Sequence, residues 1–267
     1  MSASSAFLQV LRHSAPAVFA LLLAGCAAAG APAPMSKVLL IGETHDAPGQ
    51  PERVTEQVEA LAAHGQLAAL ALEMAPQGTN TVAVPRDADD AAIRSALAWD
   101  ERAWPWQRYA PAIRAAVRAG VPVVGANLPA TQMRAAMADV SLDAQLAPAA
   151  RQAQEEAIRE GHCRLLPERQ IPAMTRVQIA RDRSMAHVVA ESASAGRTVV
   201  LWAGSGHVDR ALGVPQHLPS ALAVRSVAMV AGATDNAPGD ARFDAIWATP
   251  AMAPVDHCAQ LLKRQAP

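Results

Sequence analysis

The sequence predicts an α/β fold: a mostly parallel sheet flanked by helices, with a helical insertion before the fourth strand. Two observations predict it. Continuous apolar runs of strand length alternate with helix-like segments, the pattern of a parallel sheet covered on both faces. Between Pro129 and Gly196 no such run occurs, and that stretch reads as helices throughout.

The elements follow in order. KVLLIG (37–42) is an unbroken apolar run ending in Gly, suited to a strand buried on both faces. PERVTEQVEALAAHG (51–65) opens with Pro and acidic residues and closes with Gly, which signals a helix. LAALALEM (67–74) fits a second buried strand, although Ala-Leu runs also form helices. A helix opened by Asp87 is expected over 87–98, and another over 105–119, where Pro111 predicts a kink or a break in two. VPVVGA (121–126), TVVLWA (198–203) and LAVRSVAMVA (222–231) read as the third to fifth strands, and FDAIWA (243–248) as a short last one. Helices over 131–138, 149–160 and 168–194 make up the insertion, which spans roughly 130–196 as a lobe or lid.

The chain has 267 residues. Residues 1–25 carry Arg12 and His13 and then an apolar run too short for a membrane span, so they read as a secretory signal. The signal ends in Leu23-Ala24-Gly25-Cys26, which resembles the bacterial lipobox, with Cys26 the acylated residue. Residues 26–36 are a small, Pro-containing tether, 37–250 the folded domain and 251–267 a C-terminal tail. Ala27, rather than Asp, follows the Cys, which resembles sorting to the outer membrane. A net charge of −1 gives no electrostatic reason to expect nucleic acid. Cys163 and Cys258 are either a disulfide or two buried thiols, and their spacing excludes a local CxxC motif.

In an open parallel sheet, ligands bind beyond the carboxyl ends of the strands. Here the first strand ends in Glu43 and His45, the second in Glu73, the third in Asn127, and the fourth in the Gly204–His207 segment. Singly, each of these residues also suits a cap, a turn or a structural hydrogen bond. Four such ends on one rim point to a site. Its chemistry suits a divalent metal, general acid–base work, or a polar edge that orients a flat ligand. No GxSxG elbow and no HExxH helix is present.

Five segments, LLIGETHDAPGQ, ALEMAPQG, WDERAWPWQRYAPAIRAAVRAGVPVVGANLP, TRVQIARDRSMAHVV and LWAGSGHVDRALGVPQHL, occur in an order that resembles the ChaN-like haem-binding uptake lipoproteins. The resemblance covers roughly 37–231. The family is distantly similar to Tiki proteases and erythromycin esterases, which share a Glu/His rim. The resemblance implies a haem-binding lipoprotein of the outer membrane, with haem between two subunits of a homodimer and an outer-membrane haem receptor as partner. It implies a rim of Glu43, His45, Glu73, Asn127 and His207 and a helix carrying Gln178, Arg181, Asp182 and Met185. The alternative it leaves open is a metal-dependent hydrolase using that rim.

Haem binders of the family are expected to place a Tyr phenolate on iron, and Tyr109 is the one Tyr of this chain. His187, Met185 or His162 are the alternatives, since His and Met are also axial ligand types. Trp99, Trp104 and Trp106 either line a porphyrin pocket or pack the core.

Overall fold

The computed structural model describes residues 37–235, 240–253, 255–259 and 262. The expected signal, Cys26 and the tether lie outside the described residues. Six strands form the described sheet: β1 (Lys37–Glu43), β2 (Leu67–Pro76), β3 (Val123–Asn127), β4 (Thr198–Gly204), β5 (Ala223–Ala231) and β6 (Ala245–Thr249). Their order is β3-β2-β4-β1-β5-β6, and every strand pairing is parallel. The helices are α1 (Gln50–Ala63), α2 (Asp90–Ala96), α3 (Trp106–Arg118), α4 (Met133–Ala138), α5 (Pro148–Gly161) and α6 (Ile171–Glu191).

The unbroken apolar runs have the expected cause. Along β1, Leu39 and Ile41 enter a core shared with Val54 and Val58 of α1 and Ile113 of α3. Val38 and Leu40 enter a second core with Met185, Val188 and Val189 of α6. Alternate side chains of one strand therefore fill the two faces of the sheet. On β2 the same alternation is asymmetric in size. Leu67, Leu70 and Leu72 face α1 and α3, whereas Ala69 and Ala71 face α6. The small side chains let α6 lie close against the strands. The 67–74 segment is thus a strand, not a helix, because both of its faces are covered.

Helix α3 runs through Pro111 without dividing. Helix α2 is opened by Asp89 rather than Asp87; the Asp89 carboxylate accepts a hydrogen bond from the Ala92 N–H at 2.9 Å. The insertion contains the expected helices. α6 is the layer helix on one sheet face, and α4 and α5 pack on α6 through Ala136, Ile158 and neighbouring residues rather than closing over the strand ends. Cys163, just beyond α5, forms a disulfide with Cys258 of the C-terminal tail, 95 residues later.

Gly42 matters for the strand ends. A Cβ there would lie 2.4 Å from Val208 Cγ2 and 2.8 Å from the Ser205 Cα, so the 205–208 turn sits directly on β1. Gly42→Ala is expected to cost roughly 1–3 kcal/mol in urea denaturation, the usual range for overpacking. Gly206→Ala, with nothing within 4 Å of its added Cβ, is the control expected to change little.

Candidate functional site

The carboxyl ends of β1, β2 and β4 lie side by side, with Glu43 paired in register to Gly204. Glu73 is the centre of what they carry. It is buried, and its Oε2 accepts a hydrogen bond from the Gly204 N–H at 2.6 Å. Its Oε1 accepts from the Arg181 guanidinium and lies 3.3 Å from His207 Nε2. The other ring nitrogen of His207 is 2.6 Å from Asp182 Oδ1 and 3.1 Å from the Gln178 amide. Arg181 also donates to Asn127 Oδ1 at 2.9 Å. Gln178, Arg181 and Asp182 share one stripe of α6 because residues three and four apart face the same way.

The charges follow from this geometry. Burial by itself would favour a neutral Glu73, but the charges of His207 and Arg181 outweigh it and hold the carboxyl well below the usual carboxylate range. Burial opposes the charged form of His207, yet Glu73 and Asp182 on its two sides raise its pKa to about 9. Burial pushes Asp182 up to about 6 against the pull of His207. The core of the site is a largely buried, nearly charge-balanced cluster in which the charged form of His207 is favoured.

A second, more open layer sits above it. His45 Nδ1 is 2.7 Å from Glu43 Oε1, which also accepts from the Tyr109 hydroxyl at 2.8 Å. Arg108 stands 3.7 Å from Glu43 Oε2 and donates to the Ala47 carbonyl at 2.8 Å. Gln50 is wholly buried; its Oε1 accepts from the Thr44 N–H at 2.7 Å and fixes the loop that carries His45. The His45 side chain is 40% exposed, and its Nε2 makes no hydrogen bond among the described residues but stands 3.9 Å from Glu73 Oε2. It faces a cleft of about 610 Å³ lined chiefly by Glu73, Gln178, Arg181, Ser205, Gly206 and His257.

A family model described as "Haem-binding uptake, Tiki superfamily, ChaN" matches residues 31–218, most of the chain. The chain belongs to this haem-binding uptake family. Among solved structures, "Cofacial heme binding to ChaN of Campylobacter jejuni" is 20% identical, with a TM-score of 0.64 over 79% of this chain and 87% of that one, a likeness of fold. The type III effector HopBA1 is 15% identical, with a TM-score of 0.46 over 81% of this chain and 88% of that one. No curated protein matches the chain.

In this ChaN-family chain the five expected rim residues do meet, and Gln178, Arg181 and Asp182 join them in one site rather than forming a separate one. The four residues expected as iron ligands lie outside that cleft. Tyr109 is fully buried beneath Trp99, Trp104 and Trp202, and burial and then the Glu43 charge push its phenol well above its ordinary pKa. It cannot reach an incoming iron. Met185 is fully buried in the core between α6 and the sheet. His187, about 200° round α6 from Met185, points to solvent and pairs with Glu191 at 3.3 Å. His162 Nδ1 is engaged by the Ile158 carbonyl at 2.8 Å. Of the Trp residues, Trp106 is buried and Trp99 packs on it; Trp104 alone touches the rim, edge-on to His45 with ring centroids 4.8 Å apart.

The rim also differs from a divalent-metal cage. Among the described residues, no group of three or more His, Cys, Asp or Glu side chains is placed to hold a metal ion. Both oxygens of Glu73 are taken by Gly204, Arg181 and His207. Sequence reasoning missed Gln50, Arg108 and His257. The Pro-Gly-Gln-Pro run at 48–51 and the Arg-Tyr pair at 108–109 were the available signals for the first two.

The stability of the cluster should carry the titration of His207. Its folded pKa is raised from 6.5 to about 9, so its contribution is full below 6.5 and is lost as pH rises through about 9. The melting temperature is expected to fall over that window, and a flat profile would contradict a buried imidazolium. Glu73→Gln leaves Arg181 and His207 without their shared anion and is expected to cost roughly 3–5 kcal/mol in chemical denaturation.

Proposed function

We propose that this chain binds haem in the cleft above the Glu73–His207 cluster, with His45 as the iron ligand, and serves haem uptake. Membership of the haem-binding uptake family over residues 31–218 carries the reading. The donor set fits. The His45 imidazole is accessible, Glu43 holds its Nδ1, and its Nε2 makes no hydrogen bond among the described residues, with Glu73 Oε2 3.9 Å away. A carboxylate on the far nitrogen of a ligating imidazole fixes the ring and raises its basicity. Haem iron, when bound, supplies a site for such a nitrogen donor. The cleft volume lies within the ~300–1,000 Å³ usual for small-molecule sites. We place the protein at the outer membrane, anchored through Cys26, as a homodimer that exchanges haem with a membrane receptor. The lipobox-like Leu23–Cys26 segment and the family support this placement.

A second reading is general-base hydrolysis of an ester or amide without a metal. The Glu43–His45 pair favours it, since an oriented, solvent-accessible imidazole is the arrangement of a base that activates water. The guanidinium of Arg181 would then face the developing oxyanion.

Haem titration separates the two. A stoichiometric shifted Soret band is expected for the wild type. His45→Ala should weaken binding by roughly 10–100-fold, the range for loss of an oriented ligand. Tyr109→Phe should leave the band unmoved. An unshifted Soret band in the wild type would refute haem binding. Turnover of simple ester or peptide substrates that His45→Ala abolishes would instead establish the hydrolase.

A further inference from the structure

The family match stops at residue 218, yet the tail beyond it reaches the cleft. All six described strands are parallel, so β6 delivers the chain at Thr249 to the edge where β1 and β4 end. Pro250 packs against Gly49, where an added Cβ would lie 2.4 Å from its ring. The tail then forms a short turn at 257–259, held by a hydrogen bond from the Ala259 N–H to Asp256 at 2.8 Å. His257 on that turn lines the same cleft as His45, with Nε2 3.8 Å from Asp46 Oδ2. The next residue, Cys258, is bonded to Cys163 at the end of α5. A few residues beyond a short edge strand are ordinarily loose. Here the strand edge fixes one end of the strap, and the disulfide fixes the other beside His257.

We propose that His257 is a ligand-contact residue of the cleft, a second imidazole presented to the bound metalloporphyrin by a C-terminal strap that the Cys163–Cys258 disulfide holds in place. This rests on the haem reading. His45 and His257 are two accessible imidazoles on one cleft, at 40% and 60% exposure, and both would be available to hold a metalloporphyrin there. Asp46 follows His45 in the chain and stands 3.8 Å from His257 without burying it. Because Cys258 is itself exposed, a dithiol can reach the bond, taking up the disulfide oxidation state while the protein gains two thiols.

Two measurements on the full chain test this. In the protein without haem, amide exchange of the peptide covering 251–259 is compared before and after reduction with a dithiol. Exchange should rise at least about tenfold in this segment, with β1 and β4 unchanged; equal exchange would overturn the strap. Haem transfer to apomyoglobin is then timed for the wild type, His257→Ala and Cys258→Ser. Both variants should release haem roughly tenfold faster, as for loss of a supporting ligand contact, while His257→Ala keeps the wild-type melting temperature. Equal rates in wild type and His257→Ala would overturn the contact and leave the haem reading intact. A wild type that binds no haem would overturn the haem reading and the ligand contact together, and the exchange result would still decide whether the strap exists.

Discussion

One buried carboxylate, held well below the usual carboxylate range by its neighbours, organises this protein. Glu73 sits at the end of a buried strand, where an unpaired charge would cost several kcal/mol. Its neighbours are arranged to prevent that. The Gly204 N–H, the Arg181 guanidinium and the His207 imidazolium come from β4, α6 and the turn after β4, so one anion joins three elements. Asp182 supplies the second anion that lets His207 remain charged. The position of α6 is consequently set twice, by alanines that let it approach the sheet and by ion pairs that fix it lengthwise. A slide of one helical turn would keep the apolar contact and break the pairs.

Much of this was readable in the chain. The apolar runs located the strands because burial on two faces leaves no polar position to confuse the pattern. The rim was readable for a different reason, namely that strands running parallel must end on the same edge. What stayed hidden depends on contacts between distant segments. Asp87 and Asp89 are equally good caps by sequence, and only the trajectory into α2 selects Asp89. Tyr109 looked like a ligand because it is the one phenol in the chain. Its helical face, shared with Ile113 and Ala116, turns it into the core instead. Met185 follows Asp182 by three residues on α6, but at its position the helix has passed from the rim onto the sheet, where Met185 is buried. Gln50 reads as an ordinary residue of a helix start, yet it bonds to Thr44 and to the Met229 carbonyl.

The two layers of the site divide structural and chemical work. The lower layer is largely buried and nearly charge-balanced, and its ion pairs tie β2, α6 and the turn after β4 together, so it serves as a floor. The upper layer keeps one imidazole edge unengaged, with Glu43 and Tyr109 holding the ring from below. Such a division lets what meets that edge change while the floor stays the same.

The strand order has a bearing on how the molecule is made. β4 lies between β1 and β2, although the whole of α1 to α6 separates it from β1 in the sequence. Until β4 arrives, the central strands have no neighbour across that gap, and Glu43 and Glu73 have no common edge. Ordering so long a loop precedes any reward from the central pairings, which makes this step slow relative to local helix formation. The nascent chain therefore holds β1 without either of its partner strands, and β2 with only β3 beside it, until the helices up to α6 have been made. A chaperone or an export machine that keeps the chain extended over that interval would be protecting the gap into which β4 must fit.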